Sequence, residues 1–267
     1  MTEIMKLNYR RYSEQGEPVL IMHGLFGSLS NWGWHSKQLA EHFSVVAVDL
    51  RNHGESPHED AMNYQDMADD VIQLLDELGI EKCSLIGHSM GGKTAMQLAL
   101  SYPDRVNKLI VVDIAPSEYT GSAEDHMRII SGMRGLDMTT VSNRNDADKH
   151  LQDYVEDEAT RQFILTNLAR AEDGTFSWRL NLDALEKHYD RLREKLVSEA
   201  PFTGPTLFVR GDLSPYVRKK HEAEILELFP NASVKSVMET GHWVHAEKPQ
   251  VFQTIALGFL NQESAPE

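Results

Sequence analysis

Apolar positions along the chain gather into short runs of strand length: "VLIMH" (19 to 23), "SVVAVDL" (44 to 50), "CSLIGH" (83 to 88), "KLIVVDI" (108 to 114), "PTLFV" (205 to 209) and "SVKSVM" (233 to 238). All but the last are rich in Val, Ile and Leu without strict alternation, the pattern of strands buried on both faces. Helical patterns lie between them. "YQDMADDVIQLLDELG" puts Met67, Val71, Leu74, Leu75 and Leu78 on one face and stops at Gly79, and "MGGKTAMQLALSYP" runs to a proline stop. Strand and helix in alternation predict an α/β fold: a mostly parallel, doubly wound sheet with helices on both sides.

From about residue 115 to 199 the pattern changes. Strand-like runs vanish, charge rises, and "ATRQFILTNLARA" and "LNLDALEKHYDRLREKL" read as amphipathic helices, the second through Leu182, Leu185, Tyr189, Leu192 and Leu196. The sheet pattern resumes at Pro205. Residues 1–114 and 200–267 are therefore expected to form one core, with 115–199 a helical cap inserted between strands. A chain of 267 residues suits one core with a sizeable insertion.

Composition narrows the partners. Lys and Arg number 26 against 41 Asp and Glu, a net charge of −15, which argues against nucleic acid and against anionic membranes. The single cysteine, Cys83, lies in an apolar run and reads as a small core residue. The first residues, "MTEIMKLNYRRY", lack the apolar segment of a signal peptide, and no run approaches the ~20 apolar residues of a membrane span. A cytoplasmic location is expected, so the sequon at Asn231 reads as chance.

The strongest chemical signal is "GHSMGG", residues 87 to 92, a G-x-S-x-G pattern with a strand before it and a helix after it. Glycines flank a sharp turn that leaves Ser89 exposed as a nucleophile, and the helix N-terminus adds positive potential beside developing negative charge. A serine needs a base. His35, His42, His58, His126, His150, His188 and His221 sit in polar or helical-surface contexts, whereas His242, in "ETGHWVHAEKP", follows a predicted strand and a glycine. His245 three positions on has no third ligand near it, so no metal is expected. The turn "HGLFGS" (23 to 28) supplies one oxyanion donor, the backbone N–H of Leu25 or else of Phe26, and Met90 N–H supplies the other. His23 is expected to hold the turn.

Together "HGLFGS", "DLRNHGES" (49 to 56), "GHSMGG" and "GHWVHAEKP" resemble the α/β-hydrolase superfamily over essentially the whole chain. More narrowly, "VVDIAPSEY" (111 to 119), "FSWRLNLDAL" (176 to 185) and "SPYV" (214 to 217) are similar to the YbfF-type acyl esterases, a subgroup with a helical cap. The resemblance implies a cofactor-free serine hydrolase of carboxylic esters, and by extension of thioesters, acting on small acyl substrates through an acyl-enzyme. Other chemistry on the same triad, carbon–carbon bond hydrolysis or perhydrolysis, and a non-catalytic small-molecule receptor are the alternatives.

The acid is the open position. Many superfamily members carry it after the penultimate strand in a G-x-x-D-x-x-V pattern, but here Gly211, Ser214 and Val217 match with serine in place of aspartate. Asp113 ends the strand that the family's order sets beside the nucleophile strand, about 4.8 Å away. Asp113 is the expected acid, with Asp212 the alternative and Ser214 a supporting hydrogen-bond donor or a cap of a following helix. Met127, Met133, Phe163, Phe176, Trp178 and Tyr189 are candidate pocket walls in the insert, and Trp32 and Trp34 are expected to line or brace the site.

Overall fold

The computed structural model describes residues 5–121 and 123–262. In chain order the elements are β1 (Tyr9–Arg11), β2 (Pro18–Met22), α1 (Gly33–Leu39), β3 (Ser44–Val48), α2 (Tyr64–Glu77), β4 (Cys83–His88), α3 (Met90–Ser101) and β5 (Val106–Val112). They continue with α4 (Ala123–Gly135), α5 (Arg144–Leu151), α6 (Glu158–Leu165), β6 (Leu168–Arg170), β7 (Phe176–Trp178) and α7 (Leu182–Arg193). The chain then returns to β8 (Thr206–Gly211), α8 (Glu222–Leu228), β9 (Ala232–Val237), α9 (Val244–Glu247) and α10 (Pro249–Leu260).

Seven strands form one sheet in the order β1-β3-β2-β4-β5-β8-β9, with β1 antiparallel to β3 and every other pair parallel. Each central strand divides its apolar residues between two cores by simple alternation. Leu20, Met22, Val46, Val48, Leu85, Leu109 and Val111 face the side covered by α2 and α3. Val19, Ile21, Val45, Ala47, Ile86, Ile110 and Val112 face Phe252, Ala256 and Phe259 of α10. The chain runs from β2 to β3 on one side while β4 lies on the other, so the strand order reverses between β2 and β4. Such a reversal opens a crevice at the carboxyl ends of the strands.

Local signals account for the expected helix. Asn63 caps α2 by accepting from the Asp66 N–H, Met67, Val71, Leu74 and Leu75 are buried, and Gly79 at φ +68° ends the helix.

The segment between β5 and β8 corrects the helical reading in one place. The pattern "ATRQFILTNLARA" suggests a continuous helix, yet α6 ends at Leu165, and β6 pairs antiparallel with β7, Leu168 opposite Trp178. The turn between them carries Asp173 and Gly174, Gly174 at φ +88°, and the Asp173 side chain accepts the Thr175 N–H at 2.9 Å. This Asp-Gly turn folds the chain back and leaves the aromatic Phe176 and Trp178 in a strand.

The same segment packs across the carboxyl end of the sheet. Asn167 Nδ2 donates to the Phe26 carbonyl at 2.7 Å, Asn181 N–H donates to the Asn52 carbonyl at 3.1 Å, and the Phe163 and Trp243 rings lie 5.5 Å apart. Its two stems pair with each other: Tyr119 N–H donates to Arg193 O, and Leu196 N–H to Pro116 O. Lys93 of α3 ties both stems to the core. Its buried ammonium donates to Ser117 O at 2.9 Å and to Glu194 O at 2.5 Å, and lies 5.5 Å and 5.2 Å from the ring centres of Tyr64 and Tyr119. Among the described residues no helix is long and apolar enough to cross a membrane.

Candidate active site

Ser89 stands between β4 and α3 with φ +53° and ψ −117°, a conformation that a side chain rarely adopts. The turn closes because its neighbours lack side chains. A Cβ at Gly87 would overlap the Gly91 carbonyl, and one at Gly91 would overlap the carbonyls of Met22 and His23. The elbow is thereby pressed against the end of β2, where the turn "HGLFGS" begins.

That turn is fixed by buried, neutral histidines. His23 Nδ1–H donates to Gly24 O at 2.8 Å, and its Nε2 accepts the Leu50 N–H at 3.0 Å; burial lowers its pKa. His53 donates from Nδ1 to Arg51 O, and its Nε2 accepts the Phe26 N–H at 3.3 Å. Burial, then the neighbouring His23, push His53 down to about 3. The Phe26 amide is therefore engaged, whereas Leu25 N–H makes no hydrogen bond to a described residue. Met90 N–H opens α3 and has no intrahelical acceptor.

Asp113 leaves β5 at φ +51° and is fully buried. His242 Nδ1–H donates to its Oδ2 at 2.8 Å, Gly211 N–H donates to Oδ1 at 3.0 Å, and the Ser214 hydroxyl donates to Oδ2. Asp212, the alternative acid, turns away: its Oδ1 accepts the Thr240 N–H at 3.2 Å. Ser214 begins no helix. Its Oγ also accepts the Tyr216 N–H at 3.3 Å, a local turn, and the next helical residues are Lys219–His221.

Ser89 and His242 line one cavity of about 230 Å³, shared with Leu25, Phe26, Trp32, His126, Phe163 and Trp243. A smaller cavity of about 50 Å³ reaches Ser89 from the other side, walled by Tyr64, Met90, Tyr119, Tyr189, Arg193 and Tyr216. Of the aromatic and methionine residues proposed for the walls, Phe163 lines the larger cavity and Tyr189 the smaller. Met133 instead packs within the core, and Met127, Phe176 and Trp178, partly buried, pack against it. Trp32 both lines and braces, stacked on His245 at 4.2 Å and 4°, whereas Trp34 is exposed.

Three contributors were missed or misread in the sequence. His126 belongs to both cavity walls and not to a solvent-facing surface. His88, buried beside Ser89, donates from Nε2 to the His242 carbonyl at 2.9 Å and so holds the His242 loop against the elbow. Its place beside Ser89 in "GHSMGG" was the available signal. Tyr216, inside "SPYV", sets its ring 4.2 Å from that of His242.

Comparison with known proteins bears on this architecture. A family model described as the alpha/beta hydrolase fold matches residues 17–249. The sn-1-specific diacylglycerol lipase ABHD11 of Mus musculus is 43% identical over 249 residues, covering 91% of this chain and 80% of that protein. Esterase YbfF of Escherichia coli (strain K12) is 35% identical over 263 residues, covering 96% and 100%. Among solved structures, one titled a marine microorganism esterase superimposes with a TM-score of 0.93 at 38% identity, covering 96% of this chain and 99% of that one. With the sheet, the elbow and the sequence match extending over nearly the same residues, the chain belongs to the alpha/beta hydrolase fold family.

Proposed function

We propose that this protein hydrolyses carboxylic esters, and by extension thioesters, by acyl transfer through Ser89. His242 takes the Ser89 proton as the oxygen attacks the ester carbonyl. The Asp113 carboxylate holds the imidazole with its proton on Nδ1, leaving Nε2 as the base, and stabilises the imidazolium that forms. The N–H groups of Leu25 and Met90 receive the oxyanion. His242 then protonates the departing alcohol, and water releases the acid by the same route.

One observation carries this reading: His242 donates to a buried Asp113 at 2.8 Å while sharing a cavity wall with Ser89 on its strained elbow. The engaged Phe26 amide supports Leu25 as the second oxyanion donor. Apolar walls from Phe26, Trp32, Ile129, Phe163 and Ile164 suit an acyl chain in the larger cavity. The names of the relatives, an esterase and a diacylglycerol lipase, agree with an acyl ester as substrate. We read residues 115–199 as the cap that completes this cavity.

The test is hydrolysis of a chromogenic acyl ester by wild type and Ser89→Ala, together with fluorophosphonate labelling. Labelling of the wild type and a loss of at least about 10³-fold in kcat/KM in the variant are expected. A Ser89→Ala enzyme with wild-type turnover would sink the assignment, and an unlabelled wild type would favour a receptor.

A further inference from the structure

Two cavities meet at Ser89, and one side chain of α4 stands where they join. His126 lines both, together with Leu25, Ser89 and Tyr216. Its ring meets Phe26 edge-on at 5.8 Å and Tyr189 edge-on at 5.6 Å.

The Tyr189 hydroxyl orients this ring. His126 Nδ1 lies 2.5 Å from Tyr189 Oη, and that hydroxyl has no other hydrogen-bond partner among the described residues. Tyr189 is buried, and burial raises its pKa, so it keeps its proton; with no other acceptor for that proton among the described residues, the inferred arrangement directs it to Nδ1. The ring's own proton then lies on Nε2. No hydrogen bond from a described residue reaches that nitrogen. Burial first, then the neighbouring His242, outweigh Asp125 and push His126 down to about 4, so the ring is a neutral donor at pH 7.

A hydrogen-bond donor set beside a nucleophile in a largely apolar cleft selects between substrates more than it binds all of them, because a substrate without an acceptor leaves the N–H unpaired. The ester carbonyl oxygen is assigned to the Leu25 and Met90 amides, and the acyl chain to the larger, apolar cavity. What remains for the junction and the smaller cavity is the alcohol. That cavity is walled partly by Tyr64, Tyr119, Tyr189 and Arg193 and has room only for a short group.

We propose that His126, oriented by Tyr189, is a specificity-determining residue that donates its Nε2–H to an oxygen on the alcohol part of the ester. The preferred substrates are then esters of a short diol or polyol over simple alkyl esters of the same acid. This rests on Ser89 being the nucleophile and on the acyl chain occupying the larger cavity.

The experiment compares kcat/KM for the 2-hydroxyethyl and n-propyl esters of one acid, which differ by a hydroxyl in place of a methyl. Wild type is expected to prefer the hydroxyethyl ester by about tenfold, the worth of one good hydrogen bond. In His126→Phe that ratio collapses toward one, whatever loss both esters share. His126→Gln, which keeps a donor, restores part of it, and Tyr189→Phe lowers it by about threefold; these two variants carry the test if the Phe variant does not fold. Fluorophosphonate labelling of each variant establishes that the site is assembled, and full activity of Ser89→Ala would refute the nucleophile independently of any ratio. The proposal is overturned if wild type shows no preference or if His126→Phe depresses both esters with the ratio intact. It is equally overturned if the preference follows a hydroxyl moved onto the acyl chain.

Discussion

Asp113 and His242, 129 residues apart in the chain, meet through Oδ2 and Nδ1 at 2.8 Å. Replacing Asp113 by Asn keeps the size of the side chain but offers an N–H or a weaker acceptor to His242. In serine proteases the corresponding change costs about 10⁴-fold in kcat, and a loss of that order is expected here. Asp212→Asn removes a charge but keeps an oxygen that can accept the Thr240 N–H. Its kcat/KM should stay within about threefold of wild type, since at most one hydrogen bond, away from His242, is weakened. Steady-state kinetics on the two variants decides, and the reverse ranking would move the acid to Asp212.

Ser214 donates to the same carboxylate oxygen that receives His242. Without that hydroxyl the carboxylate keeps His242 and the Gly211 N–H. Ser214→Ala is expected to lower kcat/KM by about tenfold, the scale of one hydrogen bond to a charged group. No loss at all would make Ser214 a turn residue only.

Phe163 contributes to the larger cavity from the insert and meets Trp243 across it. Phe163→Ala should raise KM more steeply for octanoyl than for acetyl esters. The difference is expected to be about tenfold, from apolar area no longer covered. Equal effects on both chain lengths would remove the acyl chain from this cavity.

Lys93 gives stability a pH dependence of known sign. Burial, opposed by Glu118, Glu194 and Glu224, pushes its ammonium down to about 7 in the folded protein, against about 10.4 for an unfolded chain. Above pH 7 the unfolded state holds the extra proton, so stability rises with pH. Cys83 opposes this at higher pH, because burial raises its thiol to about 12 and the unfolded chain ionises first, near pH 8.5 to 9. Between about pH 7 and 9 the urea midpoint of wild type should climb, and that climb should be missing in Lys93→Met. Parallel pH profiles for the two proteins would contradict the assignment.

How much of this was legible follows from how local each signal is. The elbow, the oxyanion turn and the buried strands are written in contiguous residues: the glycines around Ser89 admit one turn, and runs such as "KLIVV" fit only a strand covered on both faces. The Asp113–His242 contact was reachable because strand order sets β5 beside β4. The hairpin of β6 and β7 was obscured by a helical periodicity that the Asp173–Gly174 turn overrode. β1 is only three residues, one edge strand with no apolar run of its own. His126 and Lys93 were opaque for a different reason: a histidine among polar neighbours, or a lysine in the first turn of a helix, looks solvated until distant elements close over it.

The φ of +53° and ψ of −117° at Ser89 set the reaction and the fold against each other at one position. A glycine would occupy that backbone with less strain, and residues so placed cost of order 1–3 kcal/mol. Ser89→Gly should therefore melt no earlier than wild type while having nothing left to attack an ester. If Ser89 is the nucleophile, selection for heat resistance alone would discard it, and only demand for turnover would keep it.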